Sequence, residues 1–219
     1  MRLVPYGAGW TDVYLTIGGD EHYFIISDVL GHSFDDFLSI LYHLHPDNIA
    51  GLHSCPFIDY KYACNHKIDG GWKTVKIIDD LSDGDEYSIY HDIPWKADFT
   101  WDEEGSESVW NLERDPTEDR DFELRISIVH RGKSYRYAVW YADFCYAVAK
   151  ACTDMLKKHG FTGYHEATYT QDLNVRYVLF LKGIGLGNLE ACELTRYKEQ
   201  GMGETSDLEK ELELLLFDM

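Results

Sequence analysis

The sequence predicts an α+β fold, mostly antiparallel sheet with two or three packed helices. Three observations predict it. Strand patterns occur in consecutive runs, which excludes a series of strand–helix–strand units and their parallel sheet. Helical stripes are isolated and each follows such a run. The order strand, tight turn, strand, helix also occurs twice, in positions that match.

The first unit opens at Thr11, where Val13, Leu15 and Ile17 alternate with Asp12, Tyr14 and Thr16, the period of a half-buried strand. Gly18-Gly19-Asp20 is turn chemistry for a hairpin, and Glu21 to Asp28 returns as its partner. Ser33 is an N-cap type with Asp36 three residues on. Phe34, Phe37, Leu38, Leu41 and Tyr42 then form one helical face that Pro46 closes.

The second unit repeats this order. Phe122, Leu124, Ile126 and Ile128 share a strand face, Arg131-Gly132 turns the chain, and Tyr135, Tyr137 and Val139 mark the return. Asp143 is expected to cap a helix with Phe144, Val148, Ala151, Cys152 and Met155 on one stripe, ended at Gly160 by a left-handed residue. Ser33 matches Asp143 and Leu38 matches Val148, each 110 residues apart, so a duplicated strand–strand–helix unit is one expectation. Hairpin followed by helix is also a common unrelated arrangement.

Between the units, 74–78, 87–90, 98–101 and 108–113 read as short strands. The run 174–182 is rich in Val, Tyr, Leu and Phe and reads as another strand. Ser206 and Glu209 form a capping box for a last helix over 206–217, with Leu208, Leu212, Leu215 and Leu216 along one side. The expected organisation is a single α+β domain over 1–219, with pseudo-repeat halves at 1–70 and 108–182.

Charge is distributed less evenly. Residues 79–121 hold sixteen acids against Lys96, Arg114 and Arg120, so a net −13 of the chain's −19 lies in one fifth of its length. Such a segment repels nucleic acid and anionic lipid and steers basic proteins toward itself. It retains Trp95, Phe99, Trp101, Trp110, Leu112 and Phe122, so it reads as folded surface and not as a solvated tail.

Five cysteines, an odd and scattered number, do not form a disulfide scaffold. The first ten residues lack the apolar core of a leader, and no run approaches a membrane span. The expected compartment is the cytoplasm, with no membrane partner.

Catalytic signatures are not found. Residues 79–86 resemble a calcium loop, but the register that fits Asp83-Gly84 puts Leu81 and Tyr90 where oxygen ligands are needed. Gly183-x-Gly185-x-Gly187 has the wrong spacing for a dinucleotide loop and reads as a flexible connection. His165-Glu166 lacks a second histidine, and no nucleophile elbow occurs. Carboxylate pairs such as Asp102 and Glu104 are uninformative among 39 acids. The one metal candidate is His53, Cys55, Cys64 and His66, a mirror-image pair of i, i+2 ligands that a hairpin could gather around zinc. Its spacing is not that of known structural sites.

No cofactor is expected. The expected function is an acidic binding protein that inhibits a basic partner stoichiometrically, in the manner of an immunity protein or antitoxin. The residues expected to carry it are Asp102, Glu103, Glu104 and Glu107 beside Trp101 and Trp110, with Asp79, Asp80, Asp83 and Asp85 as a second patch. The tryptophans suit cation–π contact with Arg or Lys, although core filling accounts for them as well. The alternatives are a metal-dependent hydrolase using the His/Cys cluster and a homo-oligomeric module paired through the C-terminal leucines. A monomer is slightly preferred.

Overall fold

The computed structural model describes residues 1–7, 10–27, 33–46, 58–68, 71–78, 88–103, 105–115, 122–168, 173–188 and 208–217. They form two antiparallel sheets and four helices. Strands β1 (Arg2–Gly7), β2 (Trp10–Ile17) and β3 (Asp20–Ser27) make a three-stranded meander. Strands β4 (Ile58–Ile68), β5 (Gly71–Ile78), β6 (Ser88–Asp102), β7 (Glu107–Glu113), β8 (Glu123–His130) and β9 (Lys133–Trp140) make a six-stranded sheet, ordered β5-β4-β6-β7-β8-β9. The helices are α1 (Ser33–Leu44), α2 (Tyr141–Thr168), α3 (Val175–Gly185) and α4 (Leu208–Leu216). This is the α+β architecture expected, and strand–strand–helix does recur as β2-β3-α1 and β8-β9-α2.

The core lies between the sheets and beneath the helices. Inward residues of β2 and β3 (Val13, Leu15, Phe24, Ile26) join those of β6, β7 and β8 (Phe99, Trp101, Trp110, Leu112, Leu124, Ile126) in one buried cluster. Phe37 of α1 is packed against Phe99, Trp101, Trp110 and Phe144. Such edge-on ring packing adds to plain area burial. The expected stripes of α1 and α2 are both buried.

Four features differ from expectation. The run 174–182 belongs to helix α3, not to a strand. Val178 to Gly183 are buried without a break, because α3 is packed against α1, α2 and α4. A helix buried all round has no polar face, so its sequence carries no 3.6-residue period to distinguish it from a buried strand.

Second, 88–90 and 98–101 are parts of the one long strand β6, and residue 87 of the expected strand lies outside the described residues. Pro94 cannot donate to a ladder, but β7 pairs only from Lys96 onward and the β4 register shifts beside Pro94. The proline therefore sits at a bulge on a stretch paired on one side.

Third, Gly160 is left-handed (φ 67°) as expected, yet helical turns resume after it to Thr168, and α2 begins at Tyr141, two residues before Asp143. Fourth, Gly185 lies inside α3 and not in a flexible connection. A Cβ there would stand 2.6 Å from the backbone of Tyr146, so the glycine permits α2 and α3 to approach closely.

Helix α4 is held through a buried cation. Lys182, fully buried on α3, donates from Nζ to the carbonyls of Leu215 (3.0 Å) and Phe217. A lysine at a helix C-terminus satisfies carbonyls that lack intrahelical partners and complements the helix dipole. The buried leucines are Leu214 and Leu215, whereas Leu208, Leu212 and Leu216 are exposed, so only Leu215 of the expected stripe faces inward.

Candidate functional site

The β6–β7 turn carries three described acids of the −13 segment, Asp102, Glu103 and Glu107. Alternation along β6 points Trp101 inward and Asp102 outward, and the chain then turns Glu103 inward. The Glu103 amide donates to the Ser106 carbonyl (2.9 Å), closing the turn. Asp102 and Glu107 are direct cross-strand partners at its mouth. Like charges placed opposite each other are destabilising.

Glu103 is the buried member of this tip, its side chain only 1% exposed. A carboxylate there requires partners. Ser106 Oγ donates to Oε2 at 2.9 Å, His130 Nε2 stands 3.0 Å from Oε1, and Arg131 Nη2 is 3.5 Å from Oε2. His130 ends β8 and Arg131 begins the β8–β9 turn, so Glu103 joins two neighbouring hairpin ends.

A second polar chain joins the two sheets. Tyr137 of β9 donates its phenolic proton to Asp20 Oδ2 (2.8 Å). Its oxygen is 2.6 Å from His22 Nε2. With the one phenolic proton directed to Asp20, the imidazole must donate, which fixes His22 as the Nε2–H tautomer. Burial and the Asp20 carboxylate push the Tyr137 pKa up, so the phenol remains a donor. The tight turn at Gly18 (φ 59°) places this glycine against the same ring, where a Cβ would stand 2.9 Å from Tyr137 Cδ1.

Both histidines sit among rings. Phe24 lies against His22 and against His130, and Tyr135 meets His22 edge-on. With each imidazole buried, the network can hold protons in place and fasten hairpin ends together.

Its titration has a predictable sign. Burial lowers the His22 pKa below 6.5; Asp20 opposes that shift and His130 adds to it. The unfolded chain therefore binds a proton first on acidification. The stability that neutral His22 confers is complete above about pH 6.5 and declines below it, toward the folded pKa. Urea midpoints of wild type and His22→Gln should therefore converge between pH 7 and 5. A constant difference would remove His22 from the account.

The sequence-predicted residues fare unequally. Trp101 and Trp110 are fully buried in the ring cluster, which corrects the expectation that they face a partner. Trp101 is in phase with Phe99 on β6 and Trp110 with Leu112 on β7, so both indoles lie on the core side of the sheet. Glu103 is likewise interior, because His130 and Arg131 hold it. Asp102 is half-buried and Glu107 exposed, and these two remain as tip acids. Glu104, Asp79, Asp80, Asp83 and Asp85 lie outside the described residues, as do His53 and Cys55, while Cys64 and His66 fall two apart on β4.

No match to the chain was found among family models, curated proteins or solved structures. Among the described residues no group of three or more His, Cys, Asp or Glu is gathered as for a metal, and no helix is long and apolar enough to cross a membrane.

Sequence reasoning missed Asp20, His22, Tyr137, His130 and Arg131. Their partners are 27 to 117 positions distant, so local spacing carries no sign of them. Phase was the one available signal. His22 is in step with Phe24 and Ile26, and His130 with Ile126 and Ile128, so each puts a polar group on an apolar face.

Proposed function

We propose that this chain is an acidic cytoplasmic protein that binds a basic partner and inhibits it stoichiometrically, as an immunity protein or antitoxin does. One observation carries the reading. Asp102 and Glu107 stand opposite each other on a sheet end whose underside is anchored by the buried Glu103–His130 contact. Like charges set opposite each other do not favour the hairpin, and together they concentrate negative potential at this sheet end. It lies within the segment of net −13, whose field would raise the rate of encounter with a cationic protein.

The test is kinetic. With the basic protein retained from host lysate at low salt as ligand, Asp102→Asn/Glu107→Gln should slow association several-fold and flatten its dependence on ionic strength, leaving dissociation nearly unchanged. An unaltered association rate and salt slope would refute a role for the tip.

A further inference from the structure

Among the described residues one tryptophan is exposed: Trp140, with 55% of its surface in solvent. It ends β9, the edge strand of the six-stranded sheet. Val139 packs against the core, so alternation turns Trp140 to the outer face. Its direct cross-strand partner is the exposed Glu123, at the start of β8. Side chains opposed on one face have Cβ atoms about 4.5–5.5 Å apart, so indole and carboxylate are neighbours.

The fold uses neither group. Among the described residues Glu123 makes no side-chain hydrogen bond or ion pair, and Trp140 meets no ring or cation. The nearby cations are engaged elsewhere. Arg125, the next outward residue of β8, is held 2.9 Å from Glu113 on β7. Lys96 stands 3.9 Å from Asp98 on its own strand. Arg136 is four residues from Trp140 along β9, about 13 Å. Ala138, the outward residue between them, carries only a methyl group and leaves that side of the indole open.

We infer that Trp140 and Glu123 form an anchor for an arginine side chain of the basic partner, an inference that rests on the function proposed above. An indole attracts a cation through its quadrupole, and a planar guanidinium lies flat on the ring while donating N–H to the adjacent carboxylate. An ammonium has no such plane and binds more weakly. Glu123 repels an anion, and a neutral group leaves its charge uncompensated. The anchor shares its outer face with Asp102 and Glu107. From Glu107 to the anchor is six residues along β7 and two along β8, roughly 27 Å. The tip then steers the encounter, and the anchor holds what arrives.

Nitrogen–proton spectra of the tryptophan indoles in the full chain test the anchor. The probes are blocked tripeptides with arginine, lysine or uncharged citrulline between two glycines. The arginine peptide should shift the Trp140 signal, which is assigned by its loss in Trp140→Phe. Lysine should shift it less and citrulline should leave it in place. Glu123→Gln should weaken the arginine peptide about two- to fivefold, the worth of an exposed ion pair. A Trp140 signal that ignores arginine, or moves equally with citrulline, overturns the inference. So does a titration that Glu123→Gln leaves unchanged.

The basic protein retained from lysate supplies the second arm. Trp140→Ala should speed its dissociation about fivefold or more and leave association nearly unchanged, the opposite of the tip variant. An unchanged dissociation rate overturns the anchor and leaves the proposed function standing. A lysate that yields no basic protein overturns the proposed function, and the peptides still decide the anchor.

Discussion

Trp110→Ala should cost about 3–5 kcal/mol, the range for truncating a fully buried aromatic. Trp110 lies within ring-packing distance of Phe24, Phe37, Phe99 and Trp101, with centroids 4.7 to 6.1 Å away, so no single neighbour can relax into the void. Domains of this size hold only about 5–15 kcal/mol, which leaves the variant near the margin of folding. Trp110→Phe keeps the ring and should lose distinctly less. Urea unfolding followed by circular dichroism reads both variants. An indole exposed for docking would instead change stability within about 0.5 kcal/mol, and that result would return Trp110 to the surface.

The second large effect is at His130. His130→Ala removes the imidazole 3.0 Å from the buried Glu103 carboxylate and leaves that charge to Ser106 and to a half-exposed arginine. Deleting one partner of a buried polar group costs about 1–3 kcal/mol, because the remaining carboxyl is left short of a donor. The same mechanism makes the loss non-additive. Adding Glu103→Leu removes the carboxyl left short of a donor, so the double variant should be more stable than His130→Ala alone, with a coupling of about 0.5–3 kcal/mol. Additive losses would show that the two side chains do not interact.

The two predictions also mark where sequence was legible. The alternating strands β2, β3 and β8 and the stripes of α1 and α2 were plain, because each buries one face and exposes the other, and β9 alternates between half-buried and exposed positions. Helix α3 was not, because burial on every side removes the polar face that carries the period. The tip was legible as acid but not as geometry. Composition treats Asp102, Glu103 and Glu107 alike, whereas the turn sends Glu103 inward to a histidine 27 residues away. Trp101 and Trp110 were misassigned for a related reason. Tryptophan beside carboxylate is the composition of a cation anchor, and only phase with Phe99 and Leu112 places these indoles inside. The polar chain through Asp20, His22 and Tyr137 depends on contacts across sheets, which no local pattern encodes.

The most direct measurement of the proposed function is retention on the immobilised full chain. Host lysate is applied at low salt and eluted in steps of rising salt, and each fraction is quantified by mass spectrometry. The account predicts one basic protein, bound in a stoichiometric amount and released over a narrow range of salt. A column that retains nothing stoichiometric, or a partner whose release ignores salt, would contradict it.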